Sequence, residues 1–264
     1  MPALLVERDG PVATVIFNRP ANRNALSPDM RVLLRDALLE LETADEIRCI
    51  VMKGAGEHFM ADGDLKAISS VLDQSPATLH GQFLLRSHDL NAIMYTMRRM
   101  AKPIIASVAG AAAGAGVSLA LAADLIIAEE NAFFTLAYCH LGATPDGGAS
   151  FQLPRVVGIK KAMEIALLGD RFDAREAQAI GMVNFLAPIG TLVAETARLA
   201  TRLAAGPTRA YANTKRLLYR SLENEFEAQL QLEAEMFTDC ATRDDFREGV
   251  TAFIDKRRPH FTGK

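Results

Sequence analysis

The chain has 264 residues, half of them apolar and 23% charged, with a formal net charge of -3; it is long enough to bury a large core and is neither disordered nor fibrous in composition. Its Lys/Arg clusters (Arg98-Arg99, Lys160-Lys161, Lys256-Arg257-Arg258) are short and form no basic stripe, which argues against a nucleic-acid partner. Cys49, Cys139 and Cys240 match neither a disulfide framework nor metal-ligand spacing, and Glu7, Arg8 and Asp9 stand where an apolar leader would be, so no metal site is expected and cytoplasm is the expected compartment.

In chain order, "LLVERDGPVATVIFNRP" reads as a hairpin of two apolar runs joined at Asp9-Gly10-Pro11. "ALSPDMRVLLRDALLELETADE" follows, with Ser27 as N-cap, Pro28 at the first helical position and apolar residues at Met30, Leu33, Leu34, Ala37, Leu38 and Leu41, the spacing of one helix face. "RCIVMKG" predicts a short buried strand, and "GAGEHFMADGDLKAI" a glycine-broken loop running into a helix. A second Ser-Pro start, Ser75-Pro76, opens a long helix to about Met100, and "PIIASVAG" is the next strand. This alternation favours an α/β architecture.

The stretch Pro103–Ala123 is 21 residues without a charge. It is mostly alanine and glycine and Asp124 follows directly, so a buried strand, a tight turn and a buried helix explain it better than a membrane span. From Lys160 onward helices dominate: "KKAMEIALLGD" and "DAREAQAIG" each end at a glycine, and Val193–Ala205, Pro207–Ser221, Glu223–Cys240 and Arg243–Lys256 are amphipathic candidates. No linker divides the chain, which reads as a main domain over residues 1–200 with a helical region over 201–264.

Two glycine turns and one carboxylate stand out. Gly63 in "GEHFMADGDL" and Gly114-Ala115-Gly116 in "AGAAAGAGVSLALAAD" each lie where a strand hands over to a helix. Such a turn can be a chain reversal and nothing more; a pair of them can also aim two backbone N–H donors at one oxygen, forming an oxyanion hole. Asp146 in "HLGATPDGGASFQLPR" sits between a proline and two glycines, a turn signal in itself and equally a way to hold one acid in place. Other chemistries lack their residues. There is no G-x-G-x-x-G or G-x-x-x-x-G-K-[ST] run, Ser118 and Ser150 lack a G-x-S-x-G setting, and His58, His80, His88, His140 and His260 form no ligand pair.

Together "FNRPANRNALS", "GAGEHFMADGDLKAI", "KPIIASVAGAAAGAGVSLALAADLIIA", "HLGATPDGGASFQLPR" and "DFREGVTAFIDKRRPHFTGK" resemble, in this order and at these separations, the enoyl-CoA hydratase/isomerase (crotonase) family. The resemblance implies an α/β spiral of ββα units with C-terminal helices that build trimers, often paired into hexamers. It implies an acyl-CoA thioester as substrate and no bound cofactor. The N–H groups of Gly63 and Ala115 would hold the thioester oxygen, and Arg23, Ala25, Ala61, Asp62, Asp64 and Leu65 would line the CoA moiety. Tyr138 would lie near the acyl group, Leu141, Phe151 or Leu153 would give Asp146 an apolar surround, and Lys256, with Lys264, would reach CoA phosphates at a neighbouring subunit's site. Asp62 replaces the glycine usual in the family's A-G-x-D-L segment.

Typical hydratases of that family use two glutamates; the corresponding positions here hold Ser118 and Tyr138, and neither simply replaces a carboxylate at neutral pH. The family's isomerases carry Glu or Asp after the corresponding proline, where this chain has Asp146. The resemblance therefore implies an acyl-CoA isomerase of fatty-acid or aromatic-acid catabolism, shifting a double bond or rearranging a ring. Asp146 would take a proton from the α-carbon, the hole would hold the enolate, and the proton would return at C4. A hydratase or acyl-CoA hydrolase of the same family, and a non-catalytic acyl-CoA-binding protein, are the competing readings.

Overall fold

The computed structural model describes residues 1–264. β1 (Leu4–Asp9) and β2 (Val12–Phe17) pair antiparallel, with Gly10 supplying the positive φ of the turn. α1 (Pro28–Thr43) begins where Ser27 Oγ accepts the Met30 N–H at 3.2 Å. Next come β3 (Cys49–Gly54), β4 (Met60–Ala61), α2 (Leu65–Ser69) and α3 (Pro76–Arg99). The start of α3 repeats the device of α1, Ser75 Oγ accepting the Thr78 N–H at 3.3 Å. The chain continues through β5 (Ile104–Val108), β6 (Ala111–Ala113), α4 (Ala115–Ala122), β7 (Leu125–Glu129), β8 (Phe133–Thr135), a 3-10 turn at Ala137–Leu141, α5 (Ala149–Val157) and α6 (Ile159–Leu168). It ends with β9 (Phe172–Asp173), α7 (Ala174–Ala179), β10 (Phe185–Ala187), α8 (Leu192–Ala204), α9 (Thr208–Ser221), α10 (Phe226–Ala241) and α11 (Asp244–Ile254).

One sheet has six strands in the order β1-β2-β3-β5-β7-β10, parallel beyond its first pair; the other has four, β4-β6-β8-β9. Each of the pairs β3/β4, β5/β6 and β7/β8 gives one strand to each sheet before the chain enters a helix. That is the ββα spiral, and it repeats in the backbone without repeating in the sequence. The strands β4 and β6 are short and end at the two glycine turns. At two and three residues they are too short to show a period of two.

The strands of the larger sheet alternate strictly. Ile50 and Met52 of β3 face the main core, whereas Cys49 and Val51 face α8. Leu192, Ala200 and Ala204 of α8 cover that second face, and the Ser107 and Thr196 hydroxyls pair across it at 2.8 Å. The expected division after residue 200 thus falls inside a helix that packs on the sheet. All eight residues of α4 are buried between the sheets, which accounts for the long uncharged run. No helix is long and apolar enough to cross a membrane.

Candidate active site

Met60 pairs with Ala112 and Ala61 with Ala113, so the turns that leave β4 and β6 are neighbours. Both turns take left-handed backbone, at Asp62 (φ +59) and Gly114 (φ +49). A Cβ on Gly114 would collide with the Asp62 carboxylate, and one on Gly116 with the Met60 carbonyl, so glycine is what lets these segments approach. The N–H groups of Gly63 and Ala115 then converge on a single atom, Asp62 Oδ1, at 2.7 and 3.4 Å. Two donors from two turns aimed at one oxygen are the geometry of an oxyanion hole. Here the chain's own carboxylate accepts both.

Asp146 lies on the loop between the 3-10 turn and α5, and two side chains hold it. The Tyr138 hydroxyl donates to Asp146 Oδ1 at 2.6 Å, and Ser118 Oγ, on the first turn of α4, donates to the Asp146 carbonyl at 2.9 Å. The two positions where hydratases are expected to carry glutamates therefore serve to fix this loop. Burial, then the charge and hydrogen bond of Asp146, push the Tyr138 phenol well above its ordinary pKa; it stays protonated and acts as donor, not base. Ser118 and Ala115 share the first turn of α4, so the Gly63/Ala115 turns and the Asp146 loop are held side by side.

Two helices contribute apolar side-chain atoms beside this loop. A Cβ on Gly147 would stand 3.1 Å from Leu90 and Met94 and 3.0 Å from Ser118, so α3 and α4 supply the wall. Leu141, at the end of its 3-10 turn, is 51% exposed, Leu153 is in the core, and Phe151 lies under the Arg98 and Arg155 guanidinium groups at 5.0 and 3.6 Å. A cavity of about 360 Å³ opens beside the loop between α3, α5 and α9, lined by Met94, Tyr95, Gly148, Phe151, Gln152 and Tyr219 among others.

Most of the expected CoA-lining residues form one strip. The Ala61 N–H donates to Arg23 O and the Leu26 N–H to Asp62 O, both at 2.9 Å, and Leu26 bridges Gly63. Arg23 and Asn24 take left-handed backbone to reach this position. Asp64 caps α2 by accepting the Ala67 N–H and pairs with Arg19 at 2.8 Å. Desolvation would raise the Asp64 pKa, but the Ala67 N–H and Arg19 outweigh it and hold the carboxyl below its ordinary value. Leu65 follows as the first residue of α2. Asp62 departs from the strip, because its carboxylate turns into the hole.

Lys256 lies in the exposed turn after α11, and the Lys264 carbonyl accepts the Asp245 N–H at 3.1 Å. Neither joins the Asp146 cluster within this chain. Four residues escaped the sequence reading. Arg19 pairs with Asp64, and Asn24, fully buried, donates to Ala55 O and His58 O at 2.9 and 2.7 Å, holding the strip in place. Arg86 lies against Gly63, and Arg31 is near enough to Arg86 and Asp146 for their charges to act on it. Helical register carries a signal for both: Arg31 shares a stripe with Leu34 and Leu38, and Arg86 with Leu90, Ile93 and Met97. No cluster of three or more His, Cys, Asp or Glu side chains is arranged to hold a metal ion.

Comparison with known proteins points the same way. The family model described as enoyl-CoA hydratase/isomerase matches residues 7–264. The chain is 37% identical over 253 residues to a 1,2-epoxyphenylacetyl-CoA isomerase of Escherichia coli, covering 96% of this chain and 95% of that one. It is equally similar, 37% identical with the same coverage, to a probable enoyl-CoA hydratase of Rhodobacter capsulatus. Among solved structures, a putative enoyl-CoA hydratase/isomerase from Mycobacterium abscessus superposes with a TM-score of 0.94 at 32% identity, covering 99% of this chain and 100% of that one.

Proposed function

Since this chain belongs to the enoyl-CoA hydratase/isomerase family, we propose that it is an acyl-CoA isomerase in which Asp146 is the proton shuttle. One observation carries the reading: Tyr138 anchors Oδ1 of Asp146 and leaves Oδ2 free, so a single carboxylate is held in one orientation with one oxygen available to a substrate. The thioester oxygen takes the place now held by Asp62 Oδ1 and accepts the Gly63 and Ala115 N–H groups. Each such donor contributes about 3 kcal/mol to an enolate as its charge develops. Asp146 removes the α-proton, the negative charge moves onto the thioester oxygen, and the same carboxyl returns the proton at C4. A general base placed this way adds about 10²–10⁴ in rate.

Two further readings have specific support. A hydratase is supported by the relatives that carry that name, and binding without turnover by the Asp62 carboxylate that sits on both donors. Incubation of 3-enoyl and 2-enoyl thioesters in isotopically labelled water separates the three. An isomerase interconverts the double-bond isomers and adds no label as hydroxyl; a hydratase incorporates oxygen; a binding protein leaves both unchanged. Asp146→Asn is expected to lower isomerase kcat by at least about a hundredfold. Full activity in that variant removes Asp146 from the mechanism. The family reading also carries a homotrimer, or a hexamer of two trimers, built through α9–α11.

A further inference from the structure

Two arginines stand beside this site without a partner. Arg31 is 8% exposed, its Nε is a buried polar atom with no hydrogen bond, and the rest of its guanidinium makes neither hydrogen bond nor ion pair. Arg86 lies directly on the oxyanion-hole turn, because a Cβ on Gly63 would run into its Nη2. It too donates no hydrogen bond. The pair comes from the buried stripes of α1 and α3, which pack against each other. Burial first, and then the charge of Arg86, lower the pKa of Arg31, with Asp89 and Asp146 acting in the opposite direction.

Neither of those carboxylates satisfies the arginines. Asp89 lies 3.9 Å from Arg35, Asp146 Oδ1 is taken by Tyr138, and the free Oδ2 of Asp146 makes no ion pair with either arginine. Asp62 is bonded to the two backbone N–H groups. Each guanidinium has five N–H donors and cannot shed its charge at any ordinary pH; Arg86 is half-buried, Arg31 is buried with its Nε unpaired, and a buried donor left without an acceptor is unfavourable. The arrangement is completed by an anion that arrives with the ligand. A carboxylate matches the planar two-pronged face of a guanidinium.

We infer that the acyl group bound here carries its own anion: the substrate is the CoA monothioester of a short dicarboxylic acid, whose far carboxylate is held by Arg31 and Arg86 while its thioester oxygen enters the hole. The inference rests on the reading of this cleft as an acyl-CoA site. It deepens that reading by naming the acyl class.

The test is calorimetric titration of the full chain with matched saturated thioesters, which have no double bond to shift. Succinyl-, glutaryl- and adipoyl-CoA are compared with butyryl-, valeryl- and hexanoyl-CoA. At least one diacid thioester is expected to bind about tenfold or more tighter than its monoacid match, the lower end of what a charge-assisted hydrogen bond supplies. That ratio is expected to fall to about twofold or less in Arg86→Met and in Arg31→Met, with circular dichroism confirming the fold; Arg86→Met decides if Arg31→Met does not fold. Equal binding of the two series, or a preference that persists in Arg86→Met, overturns the clamp and leaves the acyl-CoA reading standing. Equal weakening of both series by Arg86→Met assigns the arginine to CoA phosphates and also overturns it. Failure of both series to bind overturns the acyl-CoA reading and the clamp together.

Discussion

On the proposed mechanism a bound thioester competes with Asp62 for two N–H donors that lie 2.7 and 3.4 Å from the Asp62 Oδ1. The carboxylate has to rotate away before a substrate oxygen can enter, and hydrogen bonds to a charged group are worth about 1.5–3 kcal/mol. Asp62→Gly is therefore expected to tighten binding of a saturated acyl-CoA by about tenfold, measured by calorimetry. Glycine also accepts the left-handed backbone at this position without strain. Unchanged or weaker binding would show that Asp62 helps to hold the ligand instead. At this scale Asp146, Gly63 and Ala115 could be proposed from sequence because each sits in a local glycine-bounded segment of a few residues. Arg31 and Arg86 could not, because a charge is partnerless only with respect to what another helix brings beside it.

Among the elements, α9 is tied to the sheet by a buried ion pair. Lys215 Nζ lies 2.7 Å from Asp124 Oδ2, which also accepts the Ile104 N–H at 2.7 Å. Burial pushes the Asp124 carboxyl above its ordinary value even though Lys215 pulls the other way. Lys215→Met leaves that carboxylate without its cation and is expected to cost about 3–5 kcal/mol, read from chemical denaturation at pH 7. A raised folded-state pKa means that the folded protein takes up the proton first, so the deficit should shrink as pH falls through that value. A deficit below about 1 kcal/mol at pH 7, or one that grows on acidification, would contradict the ion-pair account. The helices themselves were readable from Ser-Pro starts, apolar spacing and terminal glycines. The pairing of β4 and β6 was not, since two or three residues carry no period and their partners lie some twenty to fifty residues away.

Over the whole molecule, the helices after Gly206 expose more apolar surface than a lone chain needs. Phe226, Phe237, Phe253 and Ile254 are all at least 66% exposed, and a cavity of about 440 Å³ lies between α9 and α11, lined by Phe246, Phe253 and Phe261 among others. A contiguous face of this kind is a mark of association. The chain is expected to run as a multimer of three copies, or six, in light scattering coupled to size exclusion, and Phe253→Asp is expected to shift it toward the monomer. A wild-type chain that is monomeric at micromolar concentration would remove the α9–α11 assembly.

The sequence by itself determined the α/β alternation, the helices and their caps, and the three backbone or side-chain positions on which the proposed chemistry rests, because each is written in residues close together along the chain. Only the tertiary structure decided that Asp62 accepts the Gly63 and Ala115 N–H groups, that Tyr138 and Ser118 hold the Asp146 loop, and that Arg86 lies on the Gly63 turn while the buried Arg31 Nε finds no acceptor. Those facts belong to pairs of segments far apart in sequence, and distance in space, which sets every one of these interactions, is fixed only once the sheets and helices have packed.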